Sequence, residues 1–299
     1  MQIYTKIMSG ILSNFNFNYS RMKKLLVLAI VLLSSLLVVG FKIRNATANA
    51  NSLIDITGKN VETRFKVPAG YTRINEDENC FAAYLRNLPL KPNGTKVRYY
   101  NGEIKQEDVY DAVVDMDIGN KDLQQCADAV MRLRGEYQYA QKQYDKISFN
   151  FTNGFKADYS EWIKGNRIVV NGNNVSWKKS ASPSNTYKNF RAYMDVVFAY
   201  AGTLSLSKSL KAKDVKDIAP GDVFVKGGSP GHAVIVIDVA VNKQGKKIFM
   251  IAQSYMPAQD IQVLKNYNND NISPWYSADI TDTLHTPQWD FNKGQLKNF

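Results

Sequence analysis

Residues 221–255 read GDVFVKGGSPGHAVIVIDVAVNKQGKKIFMIAQSY, and this stretch decides the fold. Three short runs rich in β-branched and aromatic residues, GDVFVKGG, HAVIVIDVAV and KKIFMIAQSY, are separated only by turn chemistry. Runs of that length and composition, bounded by Gly, Pro and Asn, are strands. The connections, through Gly227–Gly231 and through Asn242–Gly245, are too short for a crossover helix, so successive strands pair antiparallel. His232, one of only two histidines in the chain, opens the middle strand.

Upstream the pattern changes to helical spacing. In CFAAYLRNLPL the residues Phe81, Tyr84, Leu85 and Leu88 recur every three or four positions, and Pro89 ends the helix. The stretch NKDLQQCADAVMRLRGEYQYAQKQY predicts the strongest helix, with a capping box of Asp122 and Gln125. Its apolar stripe runs through Leu123, Cys126, Ala127, Val130 and Leu133, which puts Cys126 about one turn inside. A further helix is predicted over YKNFRAYMDVVFAYAGTLSL. TKVRYY, AVVDMDIG, KISFNFTNG and RIVVNGNNVSW read as strands, whereas the segment after Pro257 has few periodic signals. Helices and strands first, then consecutive strands, argue α+β with an antiparallel sheet rather than a wound βαβ sheet. No Pro/Gly/Ser-rich linker divides residues 76–299, which are expected to form one domain. Residues 49–75 read as a linker or an edge segment.

The formal charge of +11 is unevenly spread. The first fifty residues hold six basic side chains and no acidic one, and the remainder has only a mild basic excess without a Lys/Arg stripe. That distribution argues against a nucleic-acid partner. RMKKLLVLAIVLLSSLLVVGFK places a basic flank before an apolar run, Leu25–Val39, and Ala46-Thr47-Ala48 offers small residues for cleavage. Residues 1–48 therefore read as a secretory signal cleaved near Ala48, with Met22 as an alternative initiator and residues 1–21 an extension ahead of it. An uncleaved anchor is the rival and would be the sole membrane attachment. The apolar run falls short of the ~20 residues a spanning helix uses. Export to the periplasm or cell envelope follows, and there Cys80 and Cys126 meet oxidising conditions that permit a disulfide.

Two histidines do not supply the ligand clusters of a zinc hydrolase, and Asp115-x-Asp117-x-Gly119 lacks the remaining ligands of a calcium loop. Neither a phosphate-cradling glycine loop nor a Gly-x-Ser-x-Gly elbow is present. No metal and no cofactor is expected. What remains is a thiol and an imidazole. A cysteine nucleophile needs a helix N-terminus and a histidine to take its proton, which Cys126 and His232 would provide. Gln253, on the return strand near the level of His232, could hold the ring in the tautomer that faces the thiol. Gln125 could contribute to an oxyanion hole.

From Ile218 to Tyr255 the chain resembles the barrel half of papain-like cysteine peptidases of the NlpC and CHAP type. The resemblance lies in the Pro220-Gly221-Asp222 turn before a strand, the Gly231-His232 pair opening the next, and the polar Gln253 on the third. It implies helices packed on an antiparallel β-sheet or half-barrel, with the cysteine upstream on a helix. Over nearly all of its length beyond the signal the chain is also similar to a bacterial exported family, domain of unknown function 4846. LRNLPLKPNG, DLQQCADAVMRLRGEY and PGHAVIVIDVA are typical stretches of that family, to which no activity is assigned. Together these imply a cysteine hydrolase of peptide or amide bonds, with a cell-wall peptide or glycopeptide as substrate and peptidoglycan stem peptides as the natural class.

A second reading keeps the scaffold without the chemistry, as a non-catalytic cell-envelope binding protein. Cys126 lies on its helix's apolar stripe, and a free cysteine is commonly buried. His232 could simply bond a loop carbonyl, although Gly231 beside it suits close approach of a ligand backbone. Asp238, six residues along the same strand and roughly 20 Å from His232, is a poor orienting partner. His285 reads as a surface residue. Trp162, Trp177, Trp275 and Tyr276 could line a glycan groove or fill the core.

Overall fold

The computed structural model describes residues 52–299, together with Lys23, Leu26, Ile30 and Ser34. The signal, its cleavage near Ala48 and the alternative start lie outside the described residues. Leu53–Phe299 form one compact unit of mixed α+β architecture. Among the described residues no helix is long and apolar enough to cross a membrane.

The helices are α1 (Val61–Arg64), α2 (Phe81–Arg86), α3 (Cys126–Ala140), α4 (Tyr159–Ile163), α5 (Tyr187–Tyr200) and α6 (Thr203–Ser209). The first strands are β1 (Tyr71–Arg73), β2 (Tyr110–Val113), β3 (Ser148–Asn150), β4 (Lys156–Asp158), β5 (Asn166–Asn171), β6 (Asn174–Lys179) and β7 (Lys211–Ala212). The decisive stretch forms β8 (Val223–Lys226), β9 (His232–Asn242) and β10 (Lys247–Gln253). After it come β11 (Gln262–Leu264), β12 (Tyr276–Ser277), β13 (Thr283–His285), β14 (Asp290–Asn292) and β15 (Leu296–Asn298). Nine strands make one antiparallel sheet in the order β2-β11-β10-β9-β8-β15-β7, with β1 added to β9 and β12 to β10. β3–β4, β5–β6 and β13–β14 are separate two-stranded pairs.

β9 is the axis of the sheet, and it is buried without a break from His232 to Ala240 because both of its faces are covered. Ala233, Ile235, Ile237 and Ala240 pack under the helices with Ala127, Val130, Phe190 and Val197. Val234, Val236 and Val239 pack on the other face with Phe249, Leu284, Phe291 and Leu296. The pairing of β9 with β10 shifts register between Met250 and Ile251. That bulge explains why Ile237 and Ala240, three residues apart, share a face.

Several expected elements are shorter or placed differently. TKVRYY makes only isolated bridges, Arg98 to Ile104 and Tyr99 to Gln259. AVVDMDIG is strand only through Val113, with Val114 bridging Leu90. Beyond it Asp117 accepts from the Gly119 N–H at 3.0 Å, a local bond that competes with sheet pairing. The helix expected from Tyr187 to Leu206 breaks at Ala201–Gly202 into α5 and α6. Residues 53–75, read as linker or edge, supply α1, the fully buried Val61 and Phe65, and strand β1. The segment after Pro257 carries five strands, all of two or three residues and too short to show a period of two.

Candidate functional site

α3 begins at Cys126 itself, so the cysteine occupies the first helical position rather than a place one turn inside. The expected Asp122–Gln125 capping box is replaced by one set three residues later. Gln125, in extended conformation, is the N-cap, and its N–H donates to the Asp128 carboxylate at 3.1 Å. Asp122 is drawn elsewhere: its Oδ1 accepts from the Ala258 N–H at 2.7 Å and from Gln125 Nε2 at 3.0 Å. The approach to the helix is held from below and from the side. The guanidinium of Arg132, 1% exposed, donates to Gln124 Oε1 at 2.7 Å and to the Asp117 carbonyl at 3.0 Å. The Ser254 hydroxyl, just past β10, lies 3.0 Å from the Gln124 carbonyl and 2.8 Å from that of Gln259. Cys126 is thereby fixed against the end of the sheet where His232 starts.

Cys126 and His232 line one cavity of about 400 Å³, with Gln125, Thr203, Tyr255 and Trp289 among its other walls. The backbone N–H groups of Ala127, Ala233 and Cys126 lie near the Cys126 sulfur and favour its thiolate. Ala233 follows His232 directly, which ties the thiol to the first step of β9. Burial, and to a lesser degree the neighbouring Asp128 carboxyl, push the thiol up to about 11, and the three N–H groups only partly offset this. Asp128 is itself pushed well up by burial.

His232 Nε2 lies 2.7 Å from Gln253 Oε1. β10 carries Ala252 opposite Ile235, so the register continued by one residue sets Gln253 diagonally across from His232 on the same face. The imidazole is enclosed by the rings of Tyr255, Trp289 and Phe291, with centroids at 4.7, 5.4 and 5.9 Å. Burial drives its pKa down to about 4; the Gln253 bond opposes the shift and the Lys105 charge adds to it. Gln253 also donates through Nε2 to Gln288 Oε1 at 2.8 Å. The structure thus brings Cys126, His232 and Gln253 into one corner of the fold.

The chain belongs to the family described as Domain of unknown function (4846). That family's model matches residues 61–298, from the start of α1 to the end of β15, and so includes every wall of the cavity. No curated protein and no solved structure matches the chain.

The other sequence candidates fall elsewhere. Cys80 caps α2 by accepting from the Ala83 N–H at 3.4 Å, and both cysteines are free thiols. Asp238 is fully buried and clasped by Arg73 Nε and Arg86 Nε, each at 2.6 Å. His285 is exposed and paired with Asp290 at 3.0 Å. Trp162, Trp275 and Tyr276 are buried in the core, and Trp177 packs against it. The tryptophan on the cavity is Trp289, with Lys226 Nζ 5.7 Å from its ring. The tight contact at Gly231 comes from the chain's own loop: a Cβ there would meet Thr203 Oγ1 at 2.4 Å and the Gly228 carbonyl at 2.5 Å. Among the described residues no cluster of His, Cys, Asp or Glu could hold a metal ion. Sequence reading missed Lys105, Gln259 and Gln288, which come from loops 154 and 183 residues apart and carry no motif.

Proposed function

We propose that this protein is an exported cysteine hydrolase of papain-like fold that cleaves peptide or amide bonds, with peptidoglycan stem peptides as its substrate class. The observation that carries the reading is the arrangement around His232. Gln253 accepts from its Nε2, which leaves Nδ1 as the ring's acceptor, and His232 lines the same cavity as Cys126 at the first position of α3. The similarity of residues 218–255 to the NlpC and CHAP peptidases supports the same assignment, and the apolar N-terminal run supports export.

In this mechanism the Cys126 sulfur attacks the scissile carbonyl carbon while its proton passes to His232 Nδ1. The imidazolium then gives that proton to the leaving nitrogen as the C–N bond breaks, and a thioester remains on Cys126. Water, deprotonated by His232, hydrolyses the thioester and restores the thiol. The thiol near 11 and the imidazole near 4 are separated by about seven pH units, or roughly 10 kcal/mol for independent groups. Proton transfer therefore accompanies attack on the substrate instead of preceding it.

Cys126→Ala should abolish release of amine groups from muropeptides while leaving the far-UV circular dichroism spectrum unchanged. Equal hydrolysis by that variant would overturn the assignment.

The same pKa gap favours the second reading, a non-catalytic envelope-binding protein, because both groups rest in their neutral and unreactive forms. The two readings separate on acid-quenched reactions followed by mass spectrometry. A hydrolase accumulates an acyl adduct on Cys126, and a binding protein retains peptide without one.

A further inference from the structure

Behind the imidazole lies a relay of amides that ends on a buried lysine. Gln253 Nε2 donates to Gln288 Oε1 at 2.8 Å, and Lys105 Nζ donates to the same oxygen at 2.9 Å. Lys105 Nζ also donates to Gln259 Oε1 at 2.9 Å. The Gln259 amide is held in register by its own Nε2, which donates to the Pro257 carbonyl at 3.0 Å, and by Gln262 Nε2, which donates to its oxygen at 3.0 Å. The ammonium faces the Tyr255 ring at 5.8 Å, the ring that also packs on His232. Lys105 is 2% exposed, yet among the described residues no carboxylate forms an ion pair with it. Burial lowers the Lys105 pKa to about 8 and the Glu107 charge opposes the shift, so near neutral pH the group is an ammonium whose burial two amide oxygens offset only in part.

An amide can turn end for end at little expense when its partners are ambidextrous, and an imidazole can exchange tautomers. An ammonium can do neither, because it has three donors and no acceptor. Gln288 must therefore present its oxygen to Lys105. That oxygen can only accept, so Gln253 must present its NH2 to Gln288 and its oxygen to His232. An oxygen at 2.7 Å from Nε2 then requires the proton to sit on Nε2, and the neutral ring keeps Nδ1 bare. Each step is forced by the donor and acceptor inventory, and the only element with a fixed sense is the lysine.

We propose that Lys105 is a positioning residue that sets the tautomer of His232 through the amides of Gln288 and Gln253, holding Nδ1 ready as a proton acceptor. The consequence for turnover rests on the reading of His232 as the general base, but the tautomer itself does not. Lys105 is not itself a wall of the cavity; its ammonium faces the outer side of Tyr255, and besides orienting the amides its charge helps to hold the His232 pKa down.

Nitrogen-15 NMR of histidine-labelled protein reads this directly, since the chain has two histidines and His285 is exposed. Wild-type protein near neutral pH should show His232 with a protonated Nε2 and an unprotonated Nδ1. Lys105→Met, and independently Gln288→Leu on its partly exposed turn, should admit the Nδ1–H tautomer as a second or averaged signal. Gln288→Glu keeps an acceptor for both Lys105 and Gln253 and should retain the wild-type tautomer. If the hydrolase reading holds, Lys105→Met and Gln288→Leu should also lower kcat by roughly tenfold or more with KM little changed. A His232 ring that stays wholly Nε2–H in folded Gln288→Leu and Lys105→Met would overturn the proposal, whatever the activity. Loss of Nε2–H in Gln288→Glu would overturn it as well. A protein with the expected tautomers but no hydrolysis would instead remove the enzymatic reading and leave the relay intact.

Discussion

His232 Nε2 and Gln253 Oε1 meet at 2.7 Å inside the protein, with the imidazole 2% exposed and Gln253 1% exposed. At that depth the bond has no water to replace it. Gln253→Leu should leave a buried N–H without an acceptor and cost about 1–3 kcal/mol in urea unfolding. On the hydrolase reading turnover should fall with it, because the ring loses the partner that holds its orientation. A variant as stable and as active as wild type would show that the amide is a bystander.

The enclosure of His232 also makes stability depend on pH. Its folded pKa, near 4, lies below the ordinary histidine value of 6.5, so the unfolded chain binds the proton more readily between these limits. The stabilisation is therefore complete above about pH 6.5 and is lost as the pH falls toward 4. Its full size is about 3 kcal/mol. His232→Phe keeps a ring against Tyr255, Trp289 and Phe291 but removes the titration. Unfolding free energies of the two proteins should converge by that amount between pH 6.5 and 4. Parallel curves would contradict the depressed pKa; the buried carboxyls of Asp111 and Asp128 are common to both proteins and cancel in the comparison.

Cys126 should alkylate slowly. A thiol raised from 9.0 to about 11 carries roughly a hundredfold less thiolate at pH 7 than an unperturbed one. Iodoacetamide labelling should climb steadily to pH 10 and above, without the acidic plateau that a preformed thiolate–imidazolium pair produces. A plateau between pH 4 and 8, lost in His232→Phe, would mean that the ion pair exists at rest and that proton transfer precedes attack.

The sheet was legible because β8, β9 and β10 are adjacent in sequence and joined by turns that leave no choice of partner. Their pairing also carried the Gln253 relationship, since diagonal neighbours follow from register. Cys126 was legible as a candidate thiol but not in its position. Its helix start depends on Gln124 being held by Arg132 and Ser254, contacts that span up to 130 residues of sequence. The lysine relay was invisible for the same reason, and a lone Lys105 in a polar stretch reads as surface. Trp289 and Gln288 sit between strands of three residues, where hydrophobic periodicity has nothing to repeat.

Gly231 precedes the imidazole at a point where groups from α6, from β8 and from the loop between β8 and β9 converge. A methyl group there would lie 2.4 Å from Thr203 Oγ1, 2.5 Å from the Gly228 carbonyl and 2.7 Å from the Lys226 carbonyl. Two of these are backbone and cannot yield by a rotamer change, and Thr203 can turn away only by giving up its 3.1 Å bond to the Gly228 carbonyl. Gly231→Ala should cost about 1–3 kcal/mol and displace the start of β9. On the hydrolase reading activity should drop more than stability, since His232 is the next residue. Unchanged melting and turnover would show that the loop can open there freely.

Asp238 tests the division between framework and chemistry on the same strand. Its two carboxylate oxygens are held by Arg73 Nε on β1 and Arg86 Nε on α2, and Arg73 also donates to the Phe65 carbonyl at 2.5 Å. One acid thus joins the N-terminal segment and a helix to the central strand. Asp238→Asn keeps the shape but removes the charge, leaving two largely buried guanidinium groups uncompensated. The expected cost is about 3–5 kcal/mol in urea unfolding. Because the residue lies roughly 20 Å along β9 from His232, turnover per folded molecule at low temperature should match wild type. A variant that stays stable but loses turnover would place Asp238 in the chemistry; a destabilised but active one assigns it to holding β1 and α2 on the sheet.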